Sequence, residues 1–274
     1  MISDGEALLH AICEQPWENT PRLIYADWLE ENGQPERAEF IRLQIELESI
    51  PQDKRFDTPQ YDRAESLRLK YTRPEIMVGR ELAAQPTHPW SAGLPTRRGV
   101  AWHERYTRGF LSAVTFSSLK AIRDHGAAVM MASPVDDVTV IHIQGRGEVE
   151  ELLALPWITR LTALHLSGSV GAIGAELIAQ RGALKRLEYL DLANSQTADG
   201  GLRAIASSIG FPNLKRLGLR GNAPGVTVVG LHALLNSLTL DRLKAVDDVR
   251  GTLRSMTNLL YIYDQFYARF PDSR

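Results

Sequence analysis

The sequence predicts an α/β fold: a solenoid in which short parallel strands alternate with helices, preceded by a small all-helical module. Three observations carry this expectation. A leucine frame recurs at nearly constant spacing in the second half of the chain, the segments between its copies carry helical periodicity, and residues 1–50 hold three helical patterns separated by turn signals.

The frame is L-x-x-L-x-L. "LTALHLSGS" starts at Leu161, "LEYLDLANS" at Leu187 and "LKRLGLRGN" at Leu214, in steps of 26 and 27 residues. Weaker copies extend it: "LSAVTFSSL" from Leu111, "VTVIHIQGR" from Val138, and "LDRLKAVDD" from Leu240, with Ala245 where the third apolar residue belongs. The first, fourth and sixth side chains of a copy are expected to point inward, and the short strand to pair in parallel with the next copy. The chain must then return through a helix. "GAELIAQRGALKR", "GGLRAIASSIG" and "GLHALLNSL" fit such helices, with Leu177, Ile178, Leu202, Ile205, Leu231, Leu234 and Leu235 at three- and four-residue spacing.

Residues 111–246 therefore resemble the leucine-rich repeat, in the longer variety where a full helix follows each strand. The resemblance implies strands on a concave side and helices on a convex side. It also implies an asparagine at the ninth place of each copy, whose amide satisfies buried turn backbone. Asn222 matches; Ser169 and Ser195 are shorter, and Arg146 and Leu119 depart.

The stretch ahead reads as helices over about Ser3 to Glu14, Pro21 to Glu31 and Pro35 to Ile50. Ser3 or Asp4 is expected to cap the first and Thr20 the second, with Pro21 and Pro35 in the first turns. Leu8, Leu9, Ile12, Leu23, Ile24, Trp28, Leu29, Phe40, Ile41, Leu43 and Leu47 supply the apolar faces. "RLIYADWLEENGQPERAEFIRLQ" is similar to the signature of the short bacterial repeat-companion domain found ahead of leucine-rich repeats, over residues 3–47. That likeness supports the architecture and carries no activity with it, but it makes "WHERYTRGF" a lead-in to the first repeat.

The domain reading is thus a helical module at 1–50, a helical and irregular connector at 51–110, repeats at 111–246 and a C-terminal cap at 247–274. Trp90, Leu94, Trp102, Tyr106 and Phe110 are expected to cover the open end of the repeats, and "LRSMTNLLYIYDQFYARFPDSR" the other end.

A net charge of −2 over 274 residues gives no global field toward nucleic acid or an anionic membrane. No run approaches the ~18 apolar residues of a membrane span, and Cys13 is the lone cysteine, which excludes an internal disulfide and fits a reducing cytoplasm. The sequence holds no P-loop, no H-E-x-x-H and no G-x-S-x-G. Cys13 in "ALLHAIC" reads as a buried structural thiol, and the acids of "DWLEE" as a solvated face or partners of Arg22 and Arg37.

The expected function is accordingly a non-catalytic protein–protein interaction scaffold without a cofactor, monomeric, cytoplasmic and independent of membranes. Its partner, which an acidic surface would suit, is placed on Tyr189, Asp191, Lys215, Arg216, Arg220, Arg242 and Lys244, outward strand positions where aromatic and basic residues gather. A nucleic-acid-associated adaptor and an undetected hydrolase are the rival readings. The fifth places also put His142, His165 and Asp191 in one outward column, a candidate pH-sensitive or metal-binding row if it is more than a solvated face.

Overall fold

The structure is a computed structural model that describes residues 3–71, 88–181, 184–247 and 260–273. It divides into two compact units, residues 1–115 with 121–135, and residues 116–120 with 136–274.

The first unit begins with α1 (Asp4–Glu14), α2 (Thr20–Glu31), α3 (Pro35–Glu48), α4 (Gln52–Arg55) and α5 (Pro59–Tyr71). Ser3 caps α1 through a reciprocal box with Glu6. Thr20 does not cap α2: it is the first helical residue, behind an Asn19 whose side chain makes no cap. The buried face of α2 is Arg22, Tyr25, Ala26 and Leu29, whereas Leu23 and Ile24 are exposed, contrary to the apolar assignment. The 3.6-residue period decides this: once Tyr25, Ala26 and Leu29 pack against Ile12, Ala38 and Ile41, position 22 turns inward and positions 23 and 24 turn away. Buried Arg22 lays its guanidinium over the Phe110 ring and donates to the Glu18 carbonyl, 3.1 Å away. Of the acids of α2, Asp27 and Glu30 pair with Arg42, at 2.7 Å and 2.8 Å.

Two strands follow, β1 (Val100–Thr107) and β2 (Phe110–Phe116), neighbours in the sheet and joined by Arg108 and Gly109 at φ 51° and 85°. That left-handed pair makes a tight hairpin, so β2 runs antiparallel to β1. The turn is seated on α3: Gln44 accepts from the Gly109 amide at 2.7 Å, and a Cβ on Gly109 would stand 2.3 Å from Ile41. Leu111 therefore lies on an arm of this hairpin, and "WHERYTRGF" is a strand and turn. Phe110 packs with α1, α2 and α3, and Trp90 and Tyr106 pack with Phe40 of α3, so these aromatics serve the helical core of this unit. The helix α6 (Leu119–Ala132) follows β2.

The second unit alternates β3 (Asp137–Gln144), α7 (Arg146–Leu153), β4 (Ala163–Ser169), α8 (Gly171–Gln180), β5 (Tyr189–Asp191), α9 (Asp199–Ser207), β6 (Arg216–Gly218), α10 (Val228–Leu235) and β7 (Ala245–Asp247). Neighbouring strands follow chain order and every pair is parallel. The helices between them contact one another in the same order. Among the described residues no helix is long and apolar enough to cross a membrane.

Pairing fixes the frame. Val138, Leu164, Leu190, Leu217 and Val246 lie side by side and are fully buried. They are the fourth places of copies that start at Val135, Leu161, Leu187, Leu214 and Leu243, in steps of 26, 26, 27 and 29. The two weak copies thus begin at Val135 and Leu243, each three residues from the expected Val138 and Leu240. A pattern with apolar residues three apart matches itself after a three-residue shift, and Leu240 and Leu243 are both buried, so only backbone pairing separates the two frames.

The ninth-place asparagine does what the resemblance implied. Buried Asn222 donates to the carbonyls of Leu192 at 2.7 Å and Leu219 at 3.0 Å, and accepts from the Thr197 amide at 2.9 Å. Ser195, one copy earlier, gives the equivalent bond to its own copy, 2.6 Å to the Leu192 carbonyl. At the far edge, α11 (Leu260–Arg269) buries Phe266, and Phe270 just after it is buried too. The tail then reaches the last strand: the Asp272 amide donates to the Lys244 carbonyl at 3.2 Å, and the Val246 amide to Ser273 Oγ at 2.8 Å. This shields an edge that would otherwise offer unpaired backbone groups. Residues 248–259 of the expected cap lie outside the described residues, as do residues 72–87 of the connector. Asn222→Ala takes the side-chain partner from the Leu219 carbonyl and the Thr197 amide, leaves the Leu192 carbonyl to Ser195 alone, and is expected to destabilise the unit by about 2–4 kcal/mol in denaturant unfolding. Asn222→Asp, which keeps an acceptor and loses the donors, should lie at the upper end of that range.

Candidate functional site

The third and fifth places of the copies share the strand face opposite the buried fourth-place column. In order they are Asp137 and Thr139, Ala163 and His165, Tyr189 and Asp191, Arg216 and Gly218, and Ala245 and Asp247. Polar groups therefore gather along this face because the alternation of the strand leaves them no other side.

His165 sits between two carboxylates, with Nε2 3.2 Å from Asp137 and Nδ1 3.3 Å from Asp191. Burial opposes its charge, but hydrogen bonds and Coulomb attraction from both acids prevail and raise its pKa to about 9. Burial also works against the Asp191 charge, yet His165, the Ala193 amide at 2.9 Å and Arg216 hold this carboxyl below its ordinary range. At neutral pH the imidazole is a fixed cation in an acid–histidine–acid row, and not a free base.

The row continues through Tyr189, whose ring meets His165 edge to face with centroids 4.8 Å apart. The Tyr189 hydroxyl donates to Asp247 Oδ2 at 3.2 Å, and Arg216 grips the same carboxylate with two bonds of 2.6 and 3.0 Å while lying over the Tyr189 ring. Burial, then the charges of Asp191 and Asp247, push the phenol pKa upward, so it remains a neutral donor. Between the two acids stands Gly218. A Cβ there would be 2.2 Å from Asp191 Oδ1, so only glycine leaves the carboxylate its place. The result is an open depression of about 490 Å³ lined by Tyr189, Asp191, Ala193, Arg216, Gly218, Arg220 and Asp247.

Four residues expected at the binding surface meet there: Tyr189, Asp191, Arg216 and Arg220. Lys215, Arg242 and Lys244 are exposed but do not line it; Lys215 pairs with Glu188 at 2.7 Å and Arg242 donates to Asn213 at 2.8 Å. The depression is a mixed-charge site, since Asp191 and Asp247 stand among its arginines. Asp247, Asp137 and Gly218 were missed in the sequence. Val135 and Leu243 carried the signal, because frames started there place both acids on the outward face.

The column of His142, His165 and Asp191 does not form. The register shifts between Val140 and Ile143, so Thr139 and not His142 is the partner of His165, and His142 is an exposed residue beyond the irregularity. Among the described residues no three His, Cys, Asp or Glu side chains are arranged to hold a metal ion.

Because the folded-state pKa of His165 exceeds its unfolded value near 6.5, its contribution to stability is complete below pH 6.5 and is lost as pH rises through about 9. Thermal or urea unfolding from pH 6 to 10 should show that loss, on the order of 2–3 kcal/mol, and His165→Gln should remove it. Compared with known protein families, curated proteins and solved structures, the chain matches none.

Proposed function

We propose that this chain is a leucine-rich repeat scaffold with an N-terminal repeat-companion module, and that it holds another protein on the polar strand face of its repeats. The observation that carries the reading is the depression spanning β5, β6 and β7, with a glycine floor at Gly218 and a tyrosine locked between His165 and Arg216. Tyrosine and arginine are the side chains that most often concentrate binding energy in protein interfaces, and a tyrosine already fixed by neighbours loses little freedom on binding.

The charge layout suggests how a partner sits. Asp247 is already gripped by Arg216 and Asp191 by His165, while Arg220 on the wall of the depression and the outlying Lys244 and Lys215, the last paired with Glu188, add positive charge around it. An acidic segment that inserts one side chain above Gly218 fits this arrangement, with the lysines steering its approach.

The test is a comparative capture from native cell extract with the parent chain and with Tyr189→Ala and Arg220→Glu. A protein retained by the parent should bind each variant more weakly by about 1–2 kcal/mol, roughly five- to thirtyfold, with both variants folded as judged by circular dichroism. Identical capture by all three chains would exclude this face as the binding surface.

A further inference from the structure

A second cavity lies wholly within the first unit. Its volume is about 180 Å³, and its walls include Tyr25, Trp90, Tyr106 and Phe110. These rings are fixed by one another and by the helices: Tyr25 stacks on Trp28 and tilts against Phe110, and Trp90 and Tyr106 both pack on Phe40. One charged side chain, Arg37 of α3, lines the same space.

Arg42, Arg63, Arg68 and Arg108 are each paired with a carboxylate. No ion pair joins Arg37 to a carboxylate among the described residues: its guanidinium lies over the face of Tyr25, 5.6 Å from the ring centroid, with Tyr106 and His88 close enough to feel its charge, and its buried Nε has no acceptor. The buried hydroxyl of Tyr106, on the wall of the same cavity, also has no hydrogen-bond partner. Burial lowers the Arg37 pKa, yet a guanidinium remains charged at any physiological pH, and burial raises that of Tyr106, which keeps its proton. An uncompensated buried cation and an unused hydroxyl on an aromatic wall are costly to fold around. Both costs vanish if an anion with oxygen acceptors enters.

We propose that this cavity binds a small aromatic monocarboxylate, its carboxylate held by Arg37 and the Tyr106 hydroxyl and its ring lying among Tyr25, Trp90 and Phe110. One guanidinium without a paired acid calls for one negative charge, and its planar fork matches a carboxylate. The volume suits a single ring, since cavities of about 150 Å³ hold benzene. The apolar wall disfavours a fully hydrated anion such as phosphate. This site is independent of the strand face in the second unit, so either can fail without the other.

Calorimetric titration of the full chain with sodium benzoate, benzyl alcohol and inorganic phosphate tests the assignment. Benzoate is expected to bind at least tenfold more tightly than either of the others. Arg37→Met, which removes an unpaired buried charge and fills similar volume, should bind benzoate at least tenfold more weakly, and Tyr106→Phe severalfold more weakly. Saturation-transfer NMR on the parent gives a readout that needs no variant: benzoate ring protons should receive magnetisation from the protein, and unlabelled benzyl alcohol should not displace it at equal concentration. Benzoate binding no tighter than benzyl alcohol or phosphate, or undiminished in Arg37→Met, would overturn the proposal.

Discussion

In the second unit one backbone carbonyl per copy accepts two amides from the next copy. Asp136 takes the amides of Thr162 and Ala163, Thr162 those of Glu188 and Tyr189, Glu188 those of Lys215 and Arg216, and Lys215 those of Lys244 and Ala245, all within 2.8 to 3.1 Å. This ladder locks each strand to its neighbour at a single register. A slip of one residue would carry the whole column from Val138 to Val246 to the solvent side, so hydrophobic burial and hydrogen bonding select the same alignment. The helices, the Asn222 turn and the tail at Asp272 and Ser273 all depend on that alignment.

The polar face is its by-product. Strand alternation fixes which side chains face away from the core, and parallel register then sets unlike residues side by side: His165 beside Asp191, Gly218 beside Asp191 on one side and Asp247 on the other. Neutral residues at these places would leave the ladder intact. What the chain carries instead is a chain of contacts from Asp137 through His165, Tyr189 and Asp247 to Arg216, in which every charge has a counter-charge. Such a network orients Tyr189 and Arg216 at a fixed geometry, which is what a recognition surface requires.

Much of this was legible in the sequence, and the failures in the second unit share one origin. The three strong copies gave the strands at Leu164, Leu190 and Leu217 and the helices between them, because leucine spacing and burial coincide there. The ends of the array misled, since in "VDDVTVIHI" the frames at Val135 and Val138 both satisfy the apolar spacing, and in "LDRLKAVDD" the frames at Leu240 and Leu243 both satisfy the first two apolar places while the sixth is Ala245 in one and Asp248 in the other. Choosing the later frame at Val138 and the earlier at Leu240 moved His142 into a column it does not occupy and left Asp247 out of the site. The N-terminal helices were legible to within a few residues. Their inward faces were less so, because apolar Leu23 and Ile24 outweigh Arg22 on any hydropathy count, while the geometry of α2 turns the arginine inward. The cavity beside Arg37 had no sequence signal, as it is formed by residues from the helices, the hairpin and the segment around Trp90.

Amide hydrogen exchange measures the central claim, the register of the ladder, most directly. Lys244 and Ala245 donate to the Lys215 carbonyl, whereas Asp241 and Arg242, which would take those places in the frame starting at Leu240, lie in a turn. Protection of Lys244 and Ala245 close to that of Tyr189 and Arg216, with fast exchange at Asp241 and Arg242, is the predicted result. Protected amides at Asp241 and Arg242 with fast exchange at Lys244 and Ala245 would contradict the register, and with it the face on which Asp247 completes the site.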